Sequence, residues 1–210
     1  MRLMTEIDHL WEKNLPIVIT EYLNGSFCWF SIRIWEGDNE YSSHCDHQDH
    51  LDDQVIGLLE RLAEDYGNVD IIGTICGPGH GVNDYGLEDP TFIPTEIYNR
   101  DTDAPFPIKT ARDLFKLYAF RTAPVLFAGP FSRCQVVQHL RRPSKMAPAS
   151  MIKTPFKTRC GVVFTPQEPQ FVEELDNWLE GWQPSIEYAE LMGIEHGLPI
   201  NSSDDKETRA

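Results

Sequence analysis

No run of about eighteen apolar residues occurs in the chain, so no membrane-spanning helix is expected. Residues Met1 to Lys13 mix charges and lack the apolar core of a secretory signal, so secretion is not indicated either. Cysteine is sparse: Cys28, Cys45, Cys76, Cys134 and Cys160 are odd in number and show no paired spacing, which fits a reducing cytoplasm. Basic charge is scarce too. Thirty-three Asp and Glu against eighteen Lys and Arg leave a net charge of −15, which as a whole repels phosphate backbones. Between positions 114 and 167, however, it is the acidic residues that are missing, while nine Lys or Arg are present. That asymmetry suggests one basic face on an acidic molecule, with Arg133, Arg141, Arg142, Lys153, Lys157 and Arg159 as candidates for meeting a phosphate.

What the chain does have is enough apolar material for a core. With 41% hydrophobic and 11% aromatic residues, 210 positions suffice for one domain plus a small appendage. Leu3, Ile7, Leu10 and Trp11 recur at helical spacing in a short lead-in over residues 1–14. Pro16 to Ile19 and Phe27 to Ile34 read as strands around the polar turn Thr20 to Ser26, whose Asn24-Gly25 pair predicts a tight reversal with positive φ at Gly25. Gly37-Asp38 marks a turn before a strand over Tyr41 to His44. Asp52 to Tyr66 is an amphipathic helix, with Val55, Leu58, Leu59 and Leu62 on one face and Gly67-Asn68 at its end. Strands follow over Val69 to Thr74 and Phe92 to Tyr98, the latter at an edge or bulged because it contains Pro94. After a loop over Asn99 to Pro107, Thr110 caps a helix to Phe120 that turns Ala111, Leu114, Leu117 and Tyr118 inward. Arg133 to Leu140 is a second short helix. Pro169 to Trp182 reads as a third, with Phe171, Val172, Leu175, Trp178, Leu179 and Trp182 on one side and acidic groups opposite. Pro184 to Leu198 is a last helix, and Asn201 to Ala210 a disordered polar tail. The run from His44 to His50 offers His47, His50, Cys45 and Asp46 to a metal. With no second ligand pair elsewhere, a solvated helix start is the expected role, and no metal site is assigned.

Several of these segments carry a resemblance. Thr20-Glu21-Tyr22-Leu23-Asn24-Gly25-Ser26 resembles the first motif of the ATP-dependent RNA ligases, covalent nucleotidyltransferases whose motif reads threonine-glutamate-lysine-x-aspartate-glycine-serine. Tyr22 stands at the lysine and Asn24 at the aspartate. Ile72 to Leu87 follows the ligase pattern glycine-glutamate-x-cysteine-glycine-proline-glycine and then asparagine, tyrosine-glycine-leucine, with Thr74 at the glutamate that holds the ribose hydroxyls. Phe92 to Ile97 looks like phenylalanine-tyrosine-x-phenylalanine-aspartate-isoleucine, with Thr95 at the aromatic that stacks on adenine and Glu96 at the aspartate. Arg159 to Val163 looks like arginine-glutamate-glycine-valine-valine, with Cys160 at the glutamate that supports the metal-bound centre. His44 takes the place of an arginine in a serine-serine-arginine run. The likeness also covers Ala123 to Ser132 and stops at Pro166, after which the lysine-x-lysine pair that neutralises the triphosphate is absent.

The resemblance implies an α+β fold of the RNA ligase-like nucleotidyltransferase type, mostly antiparallel, over residues 15–166. A lead-in over 1–14, a helical extension over 167–200 and the tail over 201–210 flank it. Its implied ligand-binding residues are Glu21, Tyr22, Asn24, Gly25, His44, Thr74, Thr95, Glu96 and Cys160. Because the exchanges fall on chemistry and spare the scaffold, the expected function is a catalytically degenerate binding protein for a nucleotide, an RNA end or a protein, without covalent adenylyl transfer. Two alternatives stand beside it. One is a divergent ATP-dependent ligase or nucleotidyltransferase that uses ATP with Mg²⁺. The other is an interaction module that docks a protein partner through Trp178 and Trp182.

Overall fold

Two five-stranded sheets, joined where the chain crosses from one to the other at residues 22–26, carry the fold. The structure, a computed structural model, describes residues 2–11, 14–35, 38–45, 53–81, 85–146 and 159–194. In chain order the elements are β1 (Arg2–Leu3), α1 (Met4–Ile7) with a 3-10 turn (Asp8–Leu10), β2 (Pro16–Tyr22), β3 (Ser26–Trp35), β4 (Asp38–Cys45) and α2 (Asp53–Tyr66). Next come β5 (Val69–Cys76), β6 (Thr91–Asn99), β7 (Ala104–Pro105), α3 (Ile108–Leu117), β8 (Val125–Pro130), α4 (Arg133–Leu140) and β9 (Gly161–Pro166). The chain closes with β10 (Phe171–Val172), β11 (Asn177–Trp178), β12 (Gly181–Pro184) and α5 (Ile186–Met192). The first sheet has the order β1-β12-β9-β2-β8 and the second β4-β3-β5-β6-β7; apart from the parallel β1–β12 pair, every pairing is antiparallel. The fold is thus the expected α+β arrangement.

Period-two alternation decides what each face meets. On β3, Cys28, Phe30 and Ile32 point to a core made with Val55, Leu58, Leu59 and Leu62 of α2, Ile71 and Ile75 of β5, and Ala111 and Phe115 of α3. On the first sheet, Ile17, Ile19, Val162 and Phe164 pack against Met4, Ile7, Trp11, Val136 and Leu140. A smaller third cluster, Leu23, Cys76, Tyr85, Ile93, Ala123 and Met146, lies beneath the crossing itself. On the opposite face of the second sheet sits a buried carboxylate, Asp70. It accepts from the Ser31 hydroxyl at 2.5 Å, Arg33 Nη1 at 2.9 Å and Arg100 Nε at 2.5 Å.

Several expectations need correction. The strands flanking Asn24-Gly25 exist, but they do not form a hairpin. β2 pairs with β8 and β9 while β3 pairs with β4 and β5, so the segment is a bridge between sheets rather than a turn within one. Helix α3 starts at Ile108 with Pro107 as its N-cap, so Thr110 lies inside the helix, and Leu117 is 76% exposed while Phe115 faces the core. Ala104–Pro105 adds a two-residue strand inside the expected loop. Pro94 sits at a bulge, opposite the register shift between Ile72 and Gly73, as its missing N–H favours.

The largest correction concerns residues 169–182, which are not a helix. Phe171 and Val172 pair with Trp178 and Asn177 in a small hairpin whose reversal places Asp176 in the left-handed region. Gly181 to Pro184 then joins β9 as a full antiparallel neighbour. Apolar positions spaced for a helix are also spaced for two short strands here. The edge of β9 needed backbone partners, and that demand outweighed the local pattern. Gly181 permits it, because a Cβ there would lie 2.2 Å from the Phe164 ring. The final helix is confined to Ile186–Met192, capped by the Ser185 hydroxyl and ended by Gly193.

Cys28 and Cys45, expected to be unpaired, face each other across β3 and β4 with Cα atoms 4.5 Å apart and form a disulfide. Its loop of 17 residues predicts a stabilisation of about 3 kcal/mol. Reduction should therefore lower the melting temperature of the wild type and leave a Cys28→Ala, Cys45→Ala variant unaffected; an equal response from both would remove the bridge from the account.

Candidate functional site

The crossing segment is held from both sides. Gly25 has ordinary negative φ, contrary to the expectation of a left-handed turn, and is required for a different reason. A Cβ there would lie 2.2 Å from the Ile75 carbonyl oxygen and 2.7 Å from Thr74 Cγ2, so only glycine lets the crossing lie flat on β5. On the other flank Gly81, with φ +79, passes so close to Asn24 that a Cβ would meet its Oδ1 at 2.5 Å. Gly25 against β5 and Gly81 against Asn24 thus clamp the crossing. His80 Nδ1 adds a 3.0 Å contact to Ser26 Oγ.

Inside this clamp the polar groups form one neutral network. The backbone N–H of Asn24 donates to the Tyr85 hydroxyl at 2.7 Å, and the Asn24 side-chain amide donates to the Tyr188 hydroxyl, also at 2.7 Å. Tyr85 in turn donates to Cys160 Sγ at 3.8 Å. Tyr22 shares a hydrogen bond with Tyr188 and packs its ring against Trp182, at 5.2 Å, and Tyr188, at 5.9 Å. Burial pushes the Tyr22, Tyr85 and Tyr188 phenols above their usual range, while the Cys76 thiol is pushed up to about 12 by burial and the nearby Cys160. All four stay protonated at neutral pH. β12, the strand beside β9 in the first sheet, brings Trp182 to this centre.

Glu21 points away from the network and is almost fully buried. Desolvation raises its pKa, opposed by hydrogen bonds from the Ser144 hydroxyl and the Lys145 N–H (2.8 Å) and by the charge of Arg159. Arg159 is itself buried and donates to the carbonyls of Arg142 (3.2 Å) and Pro143 (2.8 Å). The acid and the arginine together fix the segment after α4, in which Arg141, Arg142 and Lys145 are exposed. Of the remaining basic candidates, Arg133 is paired with Asp8 on the far side of α4, and Lys153 and Lys157 lie outside the described residues, as do Asp46, His47 and His50.

The structure brings together Tyr22, Asn24, Gly25, Thr74 and Cys160, while Glu21 faces the other way and meets Lys145. It does not bring in His44, which is exposed on β4 and stacked on Trp29 at 6.1 Å, nor Thr95 and Glu96, which line a separate cavity further along β6. Trp178 and Trp182 share no stripe: Trp178 donates to the Asp103 carbonyl at 3.2 Å, and Trp182 belongs to the Tyr22 centre. Tyr85, Trp182 and Tyr188 were not identified from the sequence. Tyr85 lies within the motif run Ile72 to Leu87 but has no role assigned there, Trp182 reads from the sequence only as part of a helical stripe, and Tyr188 is 164 positions from the Asn24 it contacts.

ATP with a divalent metal does not fit this donor set. The positions for the amine, the ribose carboxylate and the metal-supporting carboxylate hold a phenol, a hydroxyl and a thiol, and the one buried acid, Glu21, is already committed to Ser144 and Lys145. Among the described residues, no three His, Cys, Asp or Glu gather as a metal site.

By sequence, no known protein family and no curated protein matches the chain. By structure it is similar to the RNA ligase of Naegleria gruberi. A mutant solved with ATP and Mn superposes with a TM-score of 0.63 at 17% identity, covering 91% of this chain and 55% of the ligase. A second mutant with AMP and Mn gives 0.60 at 16% identity, with 90% and 55% covered, and the ligase with PPi gives 0.58 at 17%, with 91% and 55% covered. The chain spans about half the length of these ligases. The likeness extends past Pro166, because it covers 91% of this chain. At this identity the shared feature is architecture, and the chain has the nucleotidyltransferase fold of the RNA ligases.

Proposed function

We propose that this is a catalytically degenerate RNA ligase-like protein, which holds a nucleotide or RNA end at the sheet crossing without forming a covalent adenylate. The observation that carries the reading is the Tyr22 phenol. It stands at the amine position, its ring is wedged between Trp182 and Tyr188, and its hydroxyl is bonded to Tyr188. A nucleophile must present a lone pair at neutral pH. Burial keeps this one protonated, and no base adjoins it in the network. The amide, phenols and indole of the centre suit a base or ribose through hydrogen bonding and stacking, while the exposed Arg141, Arg142 and Lys145 suit a phosphate at the rim.

Incubation with α-labelled ATP and Mg²⁺ or Mn²⁺ should leave no label on the denatured protein, and a Tyr22-dependent adduct would establish a divergent enzyme instead. Melting curves with ATP, GTP, NAD and short 5′-phosphorylated RNAs should show a rise with at least one, about 2.7 kcal/mol at a hundredfold excess over Kd. Arg141→Ala with Arg142→Ala should flatten the salt dependence of that binding. No shift with any of them would remove the binding function.

A further inference from the structure

β1, β8, β4 and β7 are the outer strands of the two sheets, and all but β4 are guarded. β1 and β7 are only two residues long. β8 ends in Pro130 and meets β2 through a register shift. Shortness, proline and irregular pairing each blunt an edge against a further strand. β4 has none of them. Its eight residues, Asp38 to Cys45, include neither proline nor lysine and follow β3 without a break in register. Among the described residues β3 is its one strand neighbour, and α2 packs over β3 and β5. All of β4 except Tyr41 and Cys45 is exposed.

The ladder fixes which backbone groups this edge presents. Cys28 and Cys45 stand opposite each other with Cα atoms 4.5 Å apart, the spacing of a non-hydrogen-bonded pair. Further along β3 and in the same phase, the Ile34 N–H donates at 2.8 Å to Asn68 Oδ1, away from β4. The two kinds of pair alternate, so the N–H and C=O groups of Asn39, Tyr41 and Ser43 point outward from β4. An antiparallel newcomer must bond to those residues. A second copy of the chain offers the same set, and odd positions must then meet odd positions. With a twofold axis at Tyr41, Asp38 faces the partner's His44 and Glu40 faces the partner's Ser42. On the other face of the strand Tyr41 meets the partner's Tyr41, and Asn39 meets the partner's Ser43. No acid opposes an acid. An axis at Ser42 leaves Asp38 past the end of the partner's β4 and gives up the tyrosine pair. Opposite charges and aromatic pairs across strands favour a register, and like charges directly opposite disfavour it.

We propose that β4 is a self-association edge, through which two copies of this chain pair antiparallel about a twofold axis at Tyr41 and merge their second sheets into one. The contact is isologous, as a closed dimer requires. It also gives His44, exposed on β4 and stacked on Trp29, an acidic partner in the second copy. A seam of one strand pair buries little area, so association is weak and concentration-dependent. The net charge of −15 on each copy opposes it, and added salt, which screens that repulsion, strengthens it. The Tyr22 centre takes no part, so the edge and the ligand reading stand or fall separately.

Sedimentation equilibrium of the full chain, from about 5 µM to about 1 mM, should show a reversible monomer–dimer equilibrium that tightens with salt. Ser43→Pro removes an outward N–H that the ladder with β3 does not use, and should weaken the dimer by about tenfold or more. If that variant fails to fold, cysteine pairing decides. Cys134, a free and exposed thiol, is first replaced by alanine. Glu40→Cys mixed with Ser42→Cys should then give a cross-linked dimer under oxidised glutathione, and neither variant alone should, because positions 40 and 42 face each other across the seam. A monomer at every concentration, undiminished association of folded Ser43→Pro, or no cross-link in the mixture would overturn the proposal. Cross-linking of Ser42→Cys with itself, which needs the axis at Ser42, would overturn it as well.

Discussion

Asp70→Ala is expected to lower the free energy of unfolding by about 3–5 kcal/mol, among the largest single effects in the molecule. The carboxylate is 1% exposed and holds Ser31, Arg33 and Arg100, which arrive from β3 and from the residue after β6. The same substitution strips a hydroxyl and two guanidiniums of their acceptor, and Arg100 also loses the anchor that keeps it over the Tyr98 ring at 5.0 Å. The value of the pair against water is small, but the penalty for orphaning its partners is not. Asp70→Asn, which keeps one acceptor oxygen, should fall between. Urea unfolding with an unchanged slope is the measurement, and a loss under about 1 kcal/mol for the alanine variant would show that Arg33 and Arg100, both partly exposed, recover their hydration.

Gly25→Ala should cost about 3 kcal/mol and abolish any ligand response at the crossing. The added methyl group meets a backbone carbonyl of β5, which cannot rotate away as a flexible side chain would. Relief requires β3 to lift from β5 at its first pair, Ser26 with Ile75, and this pulls Asn24 off Tyr85 and Tyr188. Gly57→Ala is the matched control. Gly57 lies in α2 with nothing within 4 Å of the added Cβ, so it should stabilise by about 0.5–1 kcal/mol through helix propensity. Equal destabilisation by both would mean that loss of glycine flexibility, rather than the close approach, sets the effect.

Helix α2 was legible in the sequence because Val55, Leu58, Leu59 and Leu62 alternate with charge at its own period, and β3 and β5 because apolar and small residues alternate at theirs. The candidate centre was legible to the extent that it lies on contiguous motifs: Tyr22, Asn24 and Gly25 on one, Thr74 and Cys160 on two others. Its remaining members were not. Trp182 and Tyr188 are ordinary aromatics until β12 is placed beside β9, Tyr85 until the 77–81 loop folds back on Asn24, and residues 169–182 satisfy a helical pattern and a strand pattern equally well. The cysteine spacing likewise concealed the bridge, since 17 residues say nothing about register while the pairing of β3 with β4 fixes it.

By itself, the order of residues determined the strongly periodic elements, such as α2 and β3, and which chemical groups stand at the positions that resemble the ligase motifs, because local periodicity and side-chain identity are properties of short segments. Tertiary structure alone decided that Tyr22 packs against Trp182 and Tyr188, that Glu21 turns away to Lys145, and that β12 lies beside β9. Those contacts join residues far apart in the chain, and their geometry is set by which open sheet edge each segment must satisfy.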